Sequence, residues 1–457
     1  MSWLYWYTKY KYYKRYELYR DPRFSVGSAI VNLDPAAADV YKLKVAAYPD
    51  DVARYTIYTI QNNLMTADDW ARIFNVSGAD PDFLASVLNS QYMPASHAAA
   101  ILSSQYMLLS RAVAIINSPN LSASKATDIL KDANISANTV QSILYNIPFS
   151  DRLIDILTAT APDVTLNANA TFRGVNIFRT LNLNGYTYTA DGQPHVIIAK
   201  QIYIPTTSKL IKTPTGGAGG ANGGGAGGGG LIIFANMLNN YGSISADGQK
   251  SQGYRLYGGG QAGGAGVFGL LSGDSYTATG GSGGVGTDRG GATGGGGPRG
   301  ASYTSGCTSG AGGGISTVTY TATSLLDTIR KALIDWFIVN VLGKSPSRTE
   351  TIPSFYGAGG GGGCSIADSS YFYYCGAGGG ASGGEVLIFS ITINNAGVIS
   401  ALGGAGALSY SSLSGTLVYQ SPAGAGGVIY VFYKTLQSLG TLDVSGNQSG
   451  LAKAVAI

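Results

Sequence analysis

The side chains able to do chemistry are few and scattered. His97 stands in an alanine-rich helical stretch and His195 begins a strand, and neither has a Cys/His/Asp/Glu partner at metal-ligand spacing. Three cysteines, Cys307, Cys364 and Cys375, match no zinc or redox motif; Cys364 and Cys375 could bridge. No G-x-S-x-G elbow lies between a strand and a helix. The G-x-G-x-x-G matches inside the glycine runs lack the strand–helix frame and ribose carboxylate of a dinucleotide site. Asp247, Asp274, Asp288, Asp327, Asp335, Glu350, Asp368, Glu385 and Asp443 are the acids of the glycine-rich half, and they form no suggestive pair for glycoside hydrolysis. The expectation is a protein that is not an enzyme and carries no cofactor or metal, with a glycan-cleaving spike as a minor alternative.

Composition points to structure and adhesion. Charged residues are 12 % of 457, and 68 residues are glycine. A disordered chain would combine low hydrophobicity with high net charge, whereas here 45 % is apolar and the charge is +4. Residues 1–20 hold Lys9, Lys11, Lys14, Arg15 and Arg20 against Glu17, so the excess charge sits there and no extended basic face for specific nucleic-acid binding is expected. The N-terminus shows no secretory signal, and no uncharged run is long enough to span a membrane.

Repeats organise the rest. Leu231–Gly248 and Val386–Gly403 align without a gap at nine identical positions, among them Phe234/Phe389, Asn240/Asn395 and Gly242/Gly397. Ile429–Gly446 is a third copy of this strand cassette, and His195–Ile204 resembles its first half. Each full copy follows a glycine run. The copies are unevenly spaced, which argues against a long regular solenoid. Upstream, apolar pairs from Ile73-Phe74 to Ile143-Leu144 recur every fourteen residues, usually with Thr, Asp or Ser seven residues before the pair. That arrangement predicts short capped helices with hydrophobic staples. Alternation in Val40–Val45 and Tyr55–Ile60 predicts strands.

The fold expected is multidomain α+β. It comprises an aromatic/basic anchor (1–22), a small β module (23–63), a helical-repeat domain (64–160), and an all-β, glycine-rich body (161–457) with an inserted amphipathic helix at 324–342. That helix would cover the β body or make a subunit contact. The glycine runs predict polyproline-II-like helices in an antiparallel sheaf, since collagen's strict Gly-X-Y period is absent.

Outer-surface composition without an export signal suits a virion component. The glycine runs and cassettes of residues 165–457 resemble the polyglycine-II tip adhesins of phage tail fibres, in architecture and composition. The resemblance implies a homo-oligomeric tail fibre or spike on the virion surface. It would bind a host glycan or protein through loops carrying Tyr254, Arg255, Tyr257, Phe268, Tyr276, Asp288, Arg289, Arg299, Tyr303, Tyr371, Phe372, Tyr373 and Tyr374. Tyrosine suits such loops, giving wide contact at low entropic cost. Trp3, Trp6, Tyr7, Tyr10, Lys11, Tyr13, Lys14 and Arg15 are the candidates for anchoring to other tail or capsid proteins. A host-encoded surface filament or pilus-like subunit is the alternative.

Overall fold

The computed structural model describes residues 49–63, 65–76, 80–215, 224–251, 263–277, 279–282, 311–362, 365–367, 373–375, 378–410 and 417–457. The chain divides into two compact units: Met1–Thr160 with Lys331–Glu350, and Ala161–Arg330 with Thr351–Ile457.

The first unit is helical: α1 Pro49–Gln61, α2 Ala67–Val76, α3 Pro81–Asn89, α4 Ala95–Ser103, α5 Leu109–Asn117, α6 Ala123–Lys131, α7 Ala137–Asn146 and α8 Asp151–Thr158. From α2 onward each helix begins fourteen residues after the last. Ser122, Ser136 and Ser150 accept the backbone N–H of Lys125, Thr139 and Leu153, satisfying donors that the first turn leaves orphaned. Pro94 and Leu108 occupy the same place without a side-chain cap. The apolar pairs from Val87-Leu88 to Ile143-Leu144 are buried. Each helix packs on the second one after it, giving two layers. Asparagines add links to the start of the third helix along: Asn75 Oδ1 in α2 accepts the Leu108 N–H before α5, Asn89 Oδ1 in α3 accepts that of Ser122 before α6, and Asn120 Nδ2 before α6 donates to the Asp82 carbonyl of α3.

Residues 55–60 are helical, which corrects the β module expected over 23–63; residues 23–48 lie outside the described residues. Pro49 leads α1 and Asp50 follows it in the first turn, where both residue types are favoured. Val52, Ala53 and Thr56 share the buried side that faces α3. Packing of that helical face overrides the β-branched alternation of Tyr55–Ile60.

The inserted helix, α9, spans Ala322–Asn340. Its stretch after Arg330, with residues up to Glu350, belongs to the helical unit, whereas its start belongs to the sheet unit, which differs from the expectation that the whole helix covers the β body. Asp335 is fully buried and accepts from Tyr145 Oη, Gln141 Nε2 (2.7 Å) and the Glu350 N–H (2.7 Å). Lys344 Nζ donates to the carbonyls of Asp132 and Ile135. The last repeats thus gain the covering element that a stacked array requires at its end. Among the described residues no helix is long and apolar enough to cross a membrane.

The second unit is a large, mostly parallel sheet. Its first strands are β1 Asp163–Thr165, β2 Ala170–Asn182, β3 Thr187–Ile204, β4 Lys209–Lys212, β5 Gly230–Asn240 and β6 Ser243–Ser245. β7 Gly266–Leu271, β8 Ile315–Tyr320, β9 Ser365–Ala367 and β10 Tyr373–Cys375 form smaller pairs. The sheet resumes with β11 Glu385–Asn395 and β12 Val398–Ser400, and continues, after the separate pair β13 Leu408–Tyr410 and β14 Leu417–Gln420, with β15 Val428–Ser438, β16 Thr441–Asp443 and β17 Leu451–Ala456. The C-terminal half is therefore not all-β: it holds the start of α9 and long extended glycine segments.

The pairing describes a coil. One row runs β2, β3, β5, β11, β15, β17 through their long portions, and the other runs through the starts of β2 and β3, then β4, β6, β12 and β16. The chain alternates between rows, so the cassettes are consecutive rungs of a parallel solenoid. This corrects the inference drawn from their uneven spacing. Ile233, Ile388 and Val431 lie in register, as do Phe234, Phe389 and Phe432, and His195 pairs with Leu231. Leu231, Ile233, Val386, Ile388, Ile429 and Val431 join Leu210, Ile244 and Ile399 in one core between the rows. The phenylalanines stack on the opposite face, with Phe389 and Phe432 nearly parallel at 4.6 Å.

At the turns, buried Asn240 donates to Asn395 Oδ1 at 2.7 Å, and Asn395 donates to the Leu439 carbonyl. A Cβ on Gly397 would come within 2.2 Å of the Gly242 carbonyl oxygen, so these tight corners demand glycine.

Asp335→Ala should lower the stability of the helical unit by about 3 kcal/mol, because it removes the acceptor of Tyr145 Oη and of the Glu350 N–H. Denaturant unfolding followed by helical circular dichroism measures this.

Candidate functional site

The glycine segments form an ordered lattice. Along residues 379–384 the successive N–H groups donate to the carbonyls of Gly361, Pro422, Gln249, Ala358, Ala425 and Ala246, at 2.7 to 3.3 Å. The partner segment returns every third residue, which is the hydrogen-bond signature of three-residue-per-turn helices packed side by side. The carbonyls of Gly379 and Ser382 accept from Gly225 and Gly228, that of Gly380 from Gly281, and that of Ala381 from Gly404. The segment is thereby surrounded. A Cβ on Gly380 would lie 1.8 Å from the Gly404 carbonyl oxygen, so no other residue fits there. Ser382 is buried, and its Oγ accepts the Ala358 N–H at 2.7 Å.

The register sets the directions. Segments 224–229 and 422–427 run parallel to 378–384, whereas 357–362 and 246–251 run against it. The bundle is thus of mixed direction, not the antiparallel sheaf expected. One end joins strands β5, β7, β8, β11 and β15. At the other end lie Gly225, Ser251, Gly263, Ser282, Ala311, Gly362, Gly378, Ala407 and Ser421, as the contacts of Gly379 with Gly225 and Gly361, Ala405 with Ser251, and Ala407 with Gly378 and Ser421 require. The described residues that flank 252–262, 283–310, 363–377 and 408–420 therefore all lie at this end.

Of the candidate contact residues, Tyr254, Arg255, Tyr257, Asp288, Arg289, Arg299, Tyr303, Tyr371 and Phe372 lie outside the described residues. So do Cys307, Cys364 and all eight anchor candidates, Trp3, Trp6, Tyr7, Tyr10, Lys11, Tyr13, Lys14 and Arg15. Tyr373, Tyr374 and Cys375 form β10, antiparallel to β9. Phe268 and Tyr276 are elsewhere. Phe268 is fully buried on β7, 6.1 Å from the Tyr276 ring, and Tyr276 Oη donates to the Gly426 carbonyl. The expected loop over Val267–Thr279 is instead a strand and its return, packed on the solenoid, because the alternation of β7 turns Phe268 inward.

Glu385, which sequence reasoning passed over as a lone acid, helps to seat β7. It is fully buried, and its Oε2 accepts the Gly269 N–H at 3.3 Å. Among the described residues Oε1 has no hydrogen-bond partner, and burial holds this carboxyl well above the ordinary carboxylate range. Nearby, Tyr430 Oη accepts the Leu271 N–H and donates to Asp274, which also pairs with Lys453.

A cavity of about 410 Å³ opens beside the lattice among Thr279, Gly281, Ser282, Gly312, Pro422 and Asn447. Among the described residues no charged side chain lines it, and the groups that do suit neutral hydrogen-bonding partners.

The other ionisable groups are engaged in structure. His195 is buried against Tyr188 Oη (3.2 Å) and the Asp191 carbonyl (3.0 Å), and burial pushes its pKa down to about 4. Burial likewise lowers Lys212 to about 8, with Nζ on the Thr213 carbonyl and Thr215 Oγ1. Asp247 accepts from Ser400 Oγ and the Leu402 N–H. Asp327 pairs with Arg330, and Glu350 with Arg348. Among the described residues no three His, Cys, Asp or Glu side chains group around a possible metal position. No known protein family, curated protein or solved structure matches this chain.

Gly380→Ala should cost about 3 kcal/mol or more, since the lattice has no slack for a methyl group. A fall in the thermal midpoint of the sheet unit checks it. Glu385→Gln tests the buried acid. Unfolding releases the Glu385 proton near the ordinary value of 4.5, whereas the folded chain retains it. Stability is therefore fullest below that value and declines as pH rises, until the folded state also ionises. The glutamine variant should flatten this decline and raise the melting midpoint at pH 8.

Proposed function

We propose that the chain is a virion structural protein, a tail fibre or spike that attaches the particle to the host cell surface. The observation that carries this reading is that the flanking residues of four chain stretches, 252–262, 283–310, 363–377 and 408–420, lie together at one end of a backbone-paired glycine lattice. Binding residues belong on loops held by a stiff scaffold. This scaffold tolerates long insertions at that end because its register is set elsewhere. The tyrosines and arginines of 252–262, 283–310 and 363–377 supply the contact chemistry. The neutral cavity beside the lattice fits the hydroxyl and amide groups of a surface glycan or protein.

In this reading the aromatic/basic N-terminal region attaches to other tail or capsid proteins, and several copies assemble so that weak contacts add. The protein acts by binding, without a catalytic centre or cofactor, on the outside of the particle.

The purified full chain should bind susceptible cells and block infection when added before the virus. Replacing residues 283–310 by a short Gly/Ser connection should abolish binding while leaving the melting midpoint of the sheet unit within about 2 °C. Polymerisation without cell binding would point instead to a filament subunit.

A further inference from the structure

At one flank of the glycine lattice, two segments each keep a residue whose backbone groups have no partner among the described residues. In a helix of three residues per turn the groups of successive residues point in three directions, and every third residue points the same way. Segment 422–427 shows the rule. The Pro422 carbonyl accepts the Gly380 N–H, Gly424 donates to Gly404 and accepts from Asn447, and Ala425 donates to Thr279 and accepts from Gly383. Ala423 alone among these four makes no backbone hydrogen bond. One turn further on, the Gly426 N–H meets the Gln448 carbonyl, and the Gly426 carbonyl accepts Tyr276 Oη. Ala423 therefore presents its N–H and C=O on the side of Gln448. There the cavity of about 410 Å³ opens, with both residues in its wall.

A second wall repeats the arrangement. The Ala311 carbonyl accepts from Gly263, and Gly313 donates to Gly359 and accepts from Gly280. Gly312, between them, is left with the third direction, has no hydrogen-bond partner among the described residues, and lines the cavity. A Cβ on Gly312 would lie 1.7 Å from the Gly280 carbonyl oxygen, which sets that carbonyl, also without a hydrogen bond, against the same wall. Ala423 and Gly312 are half-buried, so their amides are partly shielded yet unpaired. One donor and one acceptor at each residue is the pattern that another main chain satisfies. Among the described residues, no aromatic ring on which a sugar could stack lines the cavity.

We infer that this cavity binds an extended, glycine-rich stretch of a partner protein, which continues the lattice by one more segment of three residues per turn. The interface it would make is the one already repeated between the chain's own segments. Glycine is required wherever the incoming stretch faces a wall, as it is at Gly424, where a Cβ would come 1.9 Å from the Ala381 carbonyl oxygen. Residues of the stretch that face away are free to carry side chains. The inference gives the cavity of the attachment reading its ligand class, and rests on that reading only in taking the partner to be a host surface protein.

Titration of the full chain with a fluorescent, end-capped peptide of glycine and alanine, about six residues or two turns long, tests it. The peptide should bind saturably at one site per chain. Its counterpart built from N-methylglycine has no N–H to donate and should bind at least about tenfold more weakly. Ala423→Pro removes the free N–H of that residue, disturbs no hydrogen bond of Ala423, and suits the fixed φ of proline. It should weaken the peptide at least about tenfold while the melting midpoint of the sheet unit stays put. The inference fails if the peptide does not bind, if the N-methylated peptide binds equally well, or if the folded Ala423→Pro chain keeps full affinity. Displacement of the peptide by a neutral oligosaccharide would also overturn it, by assigning the cavity to a glycan. The titration uses no cells, so loss of the attachment reading, scored by cell binding, leaves a saturable peptide site standing.

Discussion

The constraint on which the glycine-rich unit depends is that every buried backbone N–H and C=O needs a partner. A strand meets it with two neighbours in a plane. A glycine helix of three residues per turn points its groups in three directions and needs neighbours all round, close enough that a single Cβ would separate them. Such a bundle cannot grow from one segment. It requires several to be delivered together, in register.

The solenoid performs that delivery. Because β5, β11 and β15 are parallel and in register, the segments leading into them, 224–229, 378–384 and 422–427, arrive side by side and point the same way. The segments leaving β6 and β12 run in the opposite sense, which accounts for the mixed directions of the lattice. Residues 246–384 separate two adjacent rungs, yet Phe234 and Phe389 still meet in register. The register is set by the core between the rows and by the Asn240–Asn395 turn, so the length of an insertion does not disturb it. The length of each inserted stretch is thereby uncoupled from the frame.

Much of this was legible where local chemistry repeats. The cassette identities are the residues that stack: phenylalanines on one face, isoleucines in the core, asparagines and glycines at the corners. Helical character after Met65 was readable from caps and apolar pairs. The solenoid was not readable, because spacing along the chain says nothing about adjacency once long insertions separate rungs. Residues 55–60 misled for the opposite reason: a β-branched alternation carries less weight than an amphipathic face with a neighbour to cover it. Phe268 looked like a loop aromatic because glycine surrounds it, and only the register of β7 shows that it turns inward. The loop end itself follows from segment directions, which no composition encodes.

The helical unit shows how architecture can imitate a signal. Asn75, Asn120 and Asn134 each begin an N-x-S sequence of the kind read as a glycosylation acceptor. In the folded chain Asn75 of α2 accepts from Leu108 at the start of α5, Asn120 before α6 donates to Asp82 of α3, and Asn134 before α7 donates to Ser96 of α4. Ser122 and Ser136, two residues after Asn120 and Asn134, cap α6 and α7. An asparagine in the turn before a helix that reaches back to the third helix before it, followed at the third position by a serine that caps the new helix, writes the acceptor pattern for reasons of packing alone. The motif recurs because the repeat recurs, and its asparagines are occupied by the contacts that hold the array together.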